Sequence, residues 1–269
     1  MKRLRGWAVT GGWTVFAVVL VVILVGPMIA PHTATHPVGP PFSLPSGNAL
    51  LGTDHLGRDV LSRLLHGGRP LLVTSLAAAL GGTLAGTLAG LLAALASSGR
   101  RWLEPVLMRP LDAIAAVPPI LLLLLCLTVM PNRTGLILAV AITSAPLSAR
   151  VARAAAAQVT GRAHVENAIA RGESWTWLLG REILPLVAGP LLADLGVRFV
   201  AAVYLVAAAG FLGLSTSDSD WGLLIVEALP GAALQPWALL MPVAGVALLA
   251  VAANLSSDRL AHRSRGLLA

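Results

Sequence analysis

The chain of 269 residues is 57% hydrophobic and 12% charged, and its mean hydropathy is +0.82. Soluble domains are about 45–50% apolar and about 25% charged, so this composition excludes a soluble domain and predicts a polytopic membrane protein. A formal net charge of +7 would suggest a nucleic-acid partner in a soluble protein. Here the positions of Lys and Arg relative to the apolar segments explain the charge, and we predict no nucleic-acid partner.

Six segments approach or reach the roughly 20 apolar residues that cross a bilayer core of roughly 30 Å. They cover residues 7–30, 70–96, 111–130, 135–149, 186–209 and 236–254. We predict an all-α polytopic membrane protein with six transmembrane helices. The third helix should bend at Pro118-Pro119, because consecutive prolines free backbone carbonyls. The first segment is longer than the apolar core of a cleaved signal peptide, about 7 to 15 residues, so we expect it to be retained.

The stretch between the first two spans has two parts. Residues 31–52 carry five prolines and predict an extended loop. From Arg58 onward, apolar residues recur at helical spacing opposite polar ones, which predicts a short amphipathic helix. The apolar residues are Val60, Leu61, Leu64 and Leu65, and the polar ones are Arg58, Asp59, Ser62 and Arg63. Within the second span, Gly82, Gly86 and Gly90 share one face and predict close packing of another helix.

Positive charge predicts the orientation of the chain. With the N-terminus in the cytoplasm, the inside segments 2–5, 100–109, 150–181 and 259–265 hold three, three, five and three Lys or Arg residues, which is 14 of the total 19. Outside lie Arg58, Arg63, Arg69 and Arg133, and Arg198 falls within a span. The positive-inside rule then places both termini and the segment 150–181 in the cytoplasm.

Metal and catalytic chemistry have little support in the sequence. The single cysteine, Cys126, lies in an apolar run, so neither a disulfide within the chain nor a thiolate metal cluster is expected. No two of the six histidines share a helix face within a span, and Asp218-x-Asp220 is shorter than a calcium loop. A membrane enzyme needs a nucleophile with a base, or two carboxylates at the same depth. Asp194 is the only clear carboxylate within a predicted span, so the sequence gives no such pair. We predict no metal site and no catalytic residue.

A polar passage from Glu166 to Pro185 interrupts the apolar text. We predict a helix over 162–171, a break at Gly172 where a side chain would resist a positive φ, and a helix resumed from Ser174. The passage resembles the EAA loop of bacterial ABC importer permeases, although Asn167 stands where that family usually has alanine. The matching residues are Glu166, Ala168, Gly172, Ile183, Leu184 and Pro185.

Two further segments carry the same resemblance. Residues 51–63, which contain Gly52-Thr53-Asp54, look like the segment after the first span in the peptide and nickel branch of these permeases. Phe211-Leu212-Gly213-Leu214 followed by Trp221-Gly222 is similar to the external segment after that branch's fifth span. We expect Trp221 to lie at the membrane interface, where tryptophan is enriched.

The resemblance implies the type I ABC importer permease fold and a permease subunit for dipeptides or oligopeptides, with a nickel or metal-chelate importer as the alternative. The implied partners are a sister permease, two cytoplasmic ATPases and an external substrate-binding protein, in a bacterial inner membrane. The implied domains are 1–69, with the first span, external loop and amphipathic helix; 70–258, the permease domain; and 259–269, a cytoplasmic tail. From another class, a passive channel or secondary carrier stays open; it predicts internal repeats, and none is visible.

Energy coupling follows from the same resemblance. The sequence has no Gly-x-x-x-x-Gly-Lys-Ser/Thr phosphate loop, so we expect no cofactor in this chain, with ATP and Mg bound by the partner ATPases. The loop 162–185 would sit in a groove of the ATPase and move as a lever when the ATPase dimer closes, with Pro185 stiffening its link to the fifth span.

Two charged residues stand out in the fifth predicted span. Asp194 and Arg198 are four residues apart and share a helix face. A charge at mid-bilayer costs roughly 2.5–3.5 kcal/mol on insertion scales, so the two should face each other, a pore or a partner. We predict either a polar translocation path suited to zwitterionic peptides or a neutral pair that packs the interface between two permeases.

Overall fold

In the computed structural model, the described backbone covers residues 2–99 and 102–266, and the described side chains cover 14–96 and 102–256. This part of the chain is helical, with three isolated β-bridges within 37–59, so the predicted all-α class is confirmed. The helices are α1 (Lys2–Ile29), α2 (Val60–Gly99), α3 (Leu103–Ala115), α4 (Pro119–Val129), α5 (Arg133–Thr160), α6 (Ala163–Ala170), α7 (Trp175–Trp177), α8 (Leu184–Phe211), α9 (Trp221–Ala228) and α10 (Pro236–Gly266).

Four stretches in the described part are long and apolar enough to cross a membrane, namely 60–96, 133–160, 175–211 and 236–256. A fifth is counted if α3 and α4 form one broken span. The described side chains of α1 begin at residue 14, and the apolar stretch Thr14–Ile29 is shorter than a full span. The count of six spans therefore stays a prediction.

The third predicted span is not one bent helix. α3 and α4 meet at 93°, and Pro118 between them has ψ 132°. Because Pro119 follows, the helical conformation is disfavoured at residue 118, so α3, which ends at Ala115, does not continue into α4. The 11 residues of α4 rise about 17 Å, roughly half of a bilayer core.

The fourth predicted span is also corrected, since α5 runs over 28 residues to Thr160 instead of ending near Ala149. The prediction stopped at Arg150 because arginine is costly in a membrane. Arg150 pairs with Asp112 at 2.7 Å and Arg153 pairs with Glu104, both on α3. Both arginines are therefore paired with carboxylates of a neighbouring helix where α5 continues past residue 149.

The predicted glycine face of α2 is confirmed. A Cβ atom built at Gly82, Gly86 or Gly90 would lie 2.2–2.5 Å from a backbone carbonyl oxygen of α5. The two backbones thus approach closely along this face, as small residues permit in membrane helix pairs. Side chains of α2 and α5 contribute to the main apolar core, together with Val203 of α8 and Leu249 of α10.

The segments between the helices gather at two ends. Residues 161–174 lie at one end, which we call the loop end. Residues 31–59 and 212–235 meet at the opposite end, which we call the cap end, where the Gln235 amide donates to the Leu51 carbonyl. The segments predicted on opposite sides of a membrane therefore lie at opposite ends of the molecule.

Candidate functional site

The predicted helix–glycine–helix loop is present at the loop end. α6 ends at Ala170, and Gly172 has φ +77°. The Gly172 amide donates to the Ile169 carbonyl at 2.9 Å, and the Glu173 amide donates to the Ala168 carbonyl at 3.2 Å. This is a Schellman C-cap, which satisfies two free carbonyls and favours glycine at the left-handed position.

One face of α6 is anchored and the other is free. Val165 and Ala168 are fully buried against the ends of α2, α5 and α8. Glu166 and Asn167 are exposed on the other face, as are Arg162, His164 and Ala170. The loop therefore presents a polar helical surface on a base that belongs to three long helices.

Further residues of the loop motif connect α6 to α8. Ile183 is fully buried in the same cluster as Ala168, whereas Leu184 and Pro185 are exposed in the first turn of α8. Residues Leu178–Ile183 form a π-helical turn, which the sequence did not predict. In a regular α-helix the Pro185 ring would clash with the carbonyl four residues earlier, and the wider turn before it removes that clash.

The cap end holds a buried network of charges. Arg63, with a side chain only 1% exposed, donates through Nη1 to Asp54 Oδ2 and to Glu227 Oε2, both at 2.6 Å. Arg58 Nε donates to the same oxygen of Asp54 at 2.7 Å. The polar side of the predicted amphipathic helix is therefore buried. That prediction is corrected, since Arg58, Asp59, Ser62 and Arg63 all face protein.

The sequence missed this network because its partners are distant in the chain. One feature of the sequence could have indicated it. Charged residues are scarce in this chain, and the four in the network, Asp54, Arg58, Arg63 and Glu227, lie in or near the two segments that resemble the peptide branch. Burial by itself would raise the pKa of Asp54, but hydrogen bonds from the Arg58 and Leu56 amides and the charge of Arg63 hold that pKa below its usual 3.8.

Asp54, His55 and Glu227 bring potential metal-ligand atoms within 4.8 Å of one another. The carboxylates of Asp54 and Glu227 already accept hydrogen bonds from Arg58 and Arg63. Two guanidinium groups at the ligand oxygens oppose the binding of a cation. We therefore interpret the cluster as an ion-pair network that joins residues 51–63 to α9.

Trp221 is packed inside the protein, and its predicted depth at the membrane interface stays a prediction. Its side chain is 5% exposed, and its indole nitrogen donates to the Leu64 carbonyl at 2.8 Å. Asp220 caps α9 by accepting from the Gly222 amide at 2.8 Å. Burial raises the pKa of Asp220 to about 6, although the Gly222 and Leu223 amides favour its ionised form.

Asp194 and Arg198 form a pair within α8. Arg198 Nε lies 3.1 Å from Asp194 Oδ1, and the Ser148 hydroxyl of α5 donates to Asp194 Oδ2 at 2.5 Å. The Arg198 side chain is 15% exposed, compared with 5% for Asp194. The predicted contact is present, and Ser148 is a third member that no sequence signal indicated.

Known proteins with similar sequences are permease components of transport systems. The family described as binding-protein-dependent transport system inner membrane component matches residues 86–266, more than half of the chain. The chain is 31% identical to the di/tripeptide transport system permease protein DppC of Pseudomonas aeruginosa, over 82% of this chain and 74% of that protein. It is 32% identical to the glutathione transport system permease protein GsiD of Pectobacterium atrosepticum, over 80% and 72% of the two chains.

Solved structures share the fold. A chain of the MetNI methionine ABC transporter in an inward-facing conformation aligns with a TM-score of 0.60 at 18% identity, covering 75% of this chain and 96% of that one. A second crystal form gives a TM-score of 0.59. Permeases of this kind are multi-pass membrane components that associate with ATPase and substrate-binding partners. The passive channel or secondary carrier gains no support from these matches. The chain belongs to the family of binding-protein-dependent transport system inner membrane components and has the fold of a type I ABC importer permease.

Proposed function

We propose that this chain is the permease subunit of an ATP-driven importer of dipeptides or oligopeptides. It forms half of the translocation pathway beside a sister permease, with two cytoplasmic ATPases and an external binding protein. ATP and Mg bind to the ATPases, this chain carries no catalytic or metal site of its own, and both termini lie in the cytoplasm of a bacterial cell. The observation that carries the proposal is α6, which is buried on one face, exposed on the other, and fixed by the cap at Gly172.

The coupling step uses this geometry. The exposed face around Glu166 sits in a groove of the ATPase, and the buried face around Ala168 passes its displacement to α2, α5 and α8. Ile183, Leu184 and Pro185 carry the displacement into α8, which also holds Asp194 and Arg198. A motion at the loop end thereby reaches polar groups within the membrane-spanning region, as alternation between two access states requires.

Peptide substrates are supported by the relatives named above. We propose that Asp194 and Arg198 line the polar path, because Arg198 keeps guanidinium N–H groups beyond the one bonded to Asp194. The alternative is a pair that packs the interface between two permeases. Arg198→Ala should then impair assembly, whereas a path residue should impair uptake while the ATPase still co-purifies.

The test is uptake by cells that lack this chain, complemented with wild type or with Arg198→Ala. We expect the wild-type chain to restore uptake of a labelled dipeptide. Unlabelled peptides should compete with that uptake. The Arg198→Ala chain, present in the membrane at equal abundance, should give less uptake than wild type. Restored uptake of labelled nickel, with no effect on peptides, would replace peptides by a metal chelate as the substrate. Normal peptide uptake by Arg198→Ala would overturn the role of that residue.

A further inference from the structure

A groove of about 300 Å³ lies between α1, α2, α9 and α10, in the half of the molecule nearer the cap end. Its walls are apolar and include Val18, Ile23, Leu65, Trp221, Met241 and Leu248. The volume corresponds to about ten water molecules, but water needs two to four polar partners, and these walls offer almost none. The groove therefore suits a hydrocarbon occupant.

One wall of the groove is closely packed around Trp221, and the opposite side is open. The Trp221 ring forms part of the wall and is held by its bond to Leu64. Gly68 and Gly245 let other helices pack against that ring, since a Cβ atom at either position would lie 3.0 Å from it. On the outer rim, Val18 is 61% exposed and Leu248 is 54% exposed. These rim residues belong to the apolar helices α1 and α10, and α10 is long and apolar enough to cross a membrane.

A cation lies beside the groove, where α2 contacts Leu24, the neighbour of the lining residue Ile23. Arg69 follows Gly68, is exposed, and donates through Nε to the Leu24 carbonyl at 2.8 Å. Its Nη2 group donates to the same oxygen, and no carboxylate in the described part of the chain pairs with it. α2 has no charged residue from Pro70 to Ala96. Arg69 thus marks the point where the uncharged part of α2 ends, as expected at headgroup level.

We propose that the groove binds an acyl chain of an anionic phospholipid and that Arg69 contacts the lipid phosphate. The apolar walls accept the chain where it would otherwise meet only other lipid tails. The free N–H groups of a guanidinium match phosphate oxygens in a bidentate geometry. One lipid molecule then fills the groove and supplies an anion to the cation beside it.

The experiment is photo-crosslinking of the full chain in membranes of its host. The probe is phosphatidylglycerol with a diazirine in the acyl chain, and phosphatidylcholine with the same acyl chain is the comparison. We expect phosphatidylglycerol to label peptides that contain Val18 or Met241 more strongly than phosphatidylcholine does. Arg69→Gln should lower the phosphatidylglycerol labelling about tenfold, the factor for the loss of one charge-assisted contact. Arg133→Gln, which alters a guanidinium bonded to Thr74, should leave it unchanged.

A second pair of variants tests the groove itself. Ala244 is an exposed lining residue, and Ala244→Phe should fill the groove and abolish the labelling. Leu84→Phe changes a side chain that is 67% exposed on α2, away from the groove, and should have no effect. The proposal is overturned if both lipids label equally and Arg69→Gln has no effect, or if labelling survives Ala244→Phe.

Discussion

The guanidinium of Arg63 in α2 donates a hydrogen bond of 2.6 Å to the carboxylate of Glu227 in α9, although 164 residues separate the two in the sequence. The same nitrogen also binds Asp54. One buried cation thus holds two anions from different parts of the chain. This contact joins the segment before α2 to α9, beside a small apolar cluster that contains Leu51, Val60 and Ala228.

Removing Arg63 should destabilise the protein strongly. Arg63→Gln leaves Asp54 short of one cation and Glu227 partly unpaired, and unpairing a buried charge costs about 3–5 kcal/mol. The control is Arg150→Gln, because Arg150 and Asp112 are 50% and 48% exposed and such pairs contribute about 0–1 kcal/mol. Unfolding of each purified variant in detergent measures the difference. Equal midpoints for the two variants would show that the buried network does not stabilise the fold.

The glycine face of α2 offers a matched pair of substitutions. A Cβ atom at Gly86 would lie 2.2 Å from the Ala145 carbonyl oxygen, whereas at Gly81 the nearest atom is 3.9 Å away. Gly86→Ala should therefore force α2 and α5 apart at a cost of about 1–3 kcal/mol. Gly81→Ala should be neutral or slightly stabilising, because alanine favours a helix. Thermal stability in detergent separates the two, and a tolerated Gly86→Ala would contradict the close approach.

Asp220 should make stability depend on pH. Its pKa in the folded state is raised to about 6 from 3.8, so the folded state binds the proton more tightly than the unfolded state does. The burial penalty, about 3 kcal/mol at pH 7, is relieved as the pH falls from about 6 to 4. Asp220→Asn keeps an oxygen for the cap of α9 without the charge. The variant should exceed wild type in stability at pH 7, and this advantage should shrink toward pH 4 in unfolding experiments. A constant difference across that range would contradict the burial of the charge.

Gly172 and Gly161 flank α6 and differ in one property. A Cβ atom would meet nothing within 4 Å at either position, but φ is +77° at Gly172 and −84° at Gly161. Gly172→Ala should cost about 1–2 kcal/mol, because a side chain disfavours the left-handed conformation, and should distort the loop. We expect reduced uptake from Gly172→Ala and normal uptake from Gly161→Ala at equal abundance in the membrane. The reverse order would exclude the cap as a requirement for coupling.

Local patterns predicted the features that depend on neighbouring residues. The break at Gly172 followed from its place between two helical stretches, and the packing face of α2 followed from glycines four residues apart. The pair Asp194–Arg198 followed from the same helical spacing. Each of these features needs only the geometry of one helix.

Features that depend on contacts between distant segments could not be predicted from the sequence. The sequence predicted that a span ends before Arg150. Its partner Asp112 lies on another helix, and no local pattern indicates that contact. The burial of Trp221 was not predicted, because its acceptor, the Leu64 carbonyl, is a backbone group that no side-chain pattern reveals. The right angle between α3 and α4 depends on how α4 packs against α5, beyond the effect of the two prolines.

The most direct test of the account is a cross-linking measurement at two positions in native membranes. A photo-crosslinking amino acid replaces Asn167, which is exposed on α6, or Leu234, which is 66% exposed at the cap end. We expect an adduct with an ATPase subunit, identified by mass spectrometry, from position 167 and none from position 234. Adducts with an ATPase from position 234, or their absence from position 167 in an active transporter, would contradict the role of the loop in coupling.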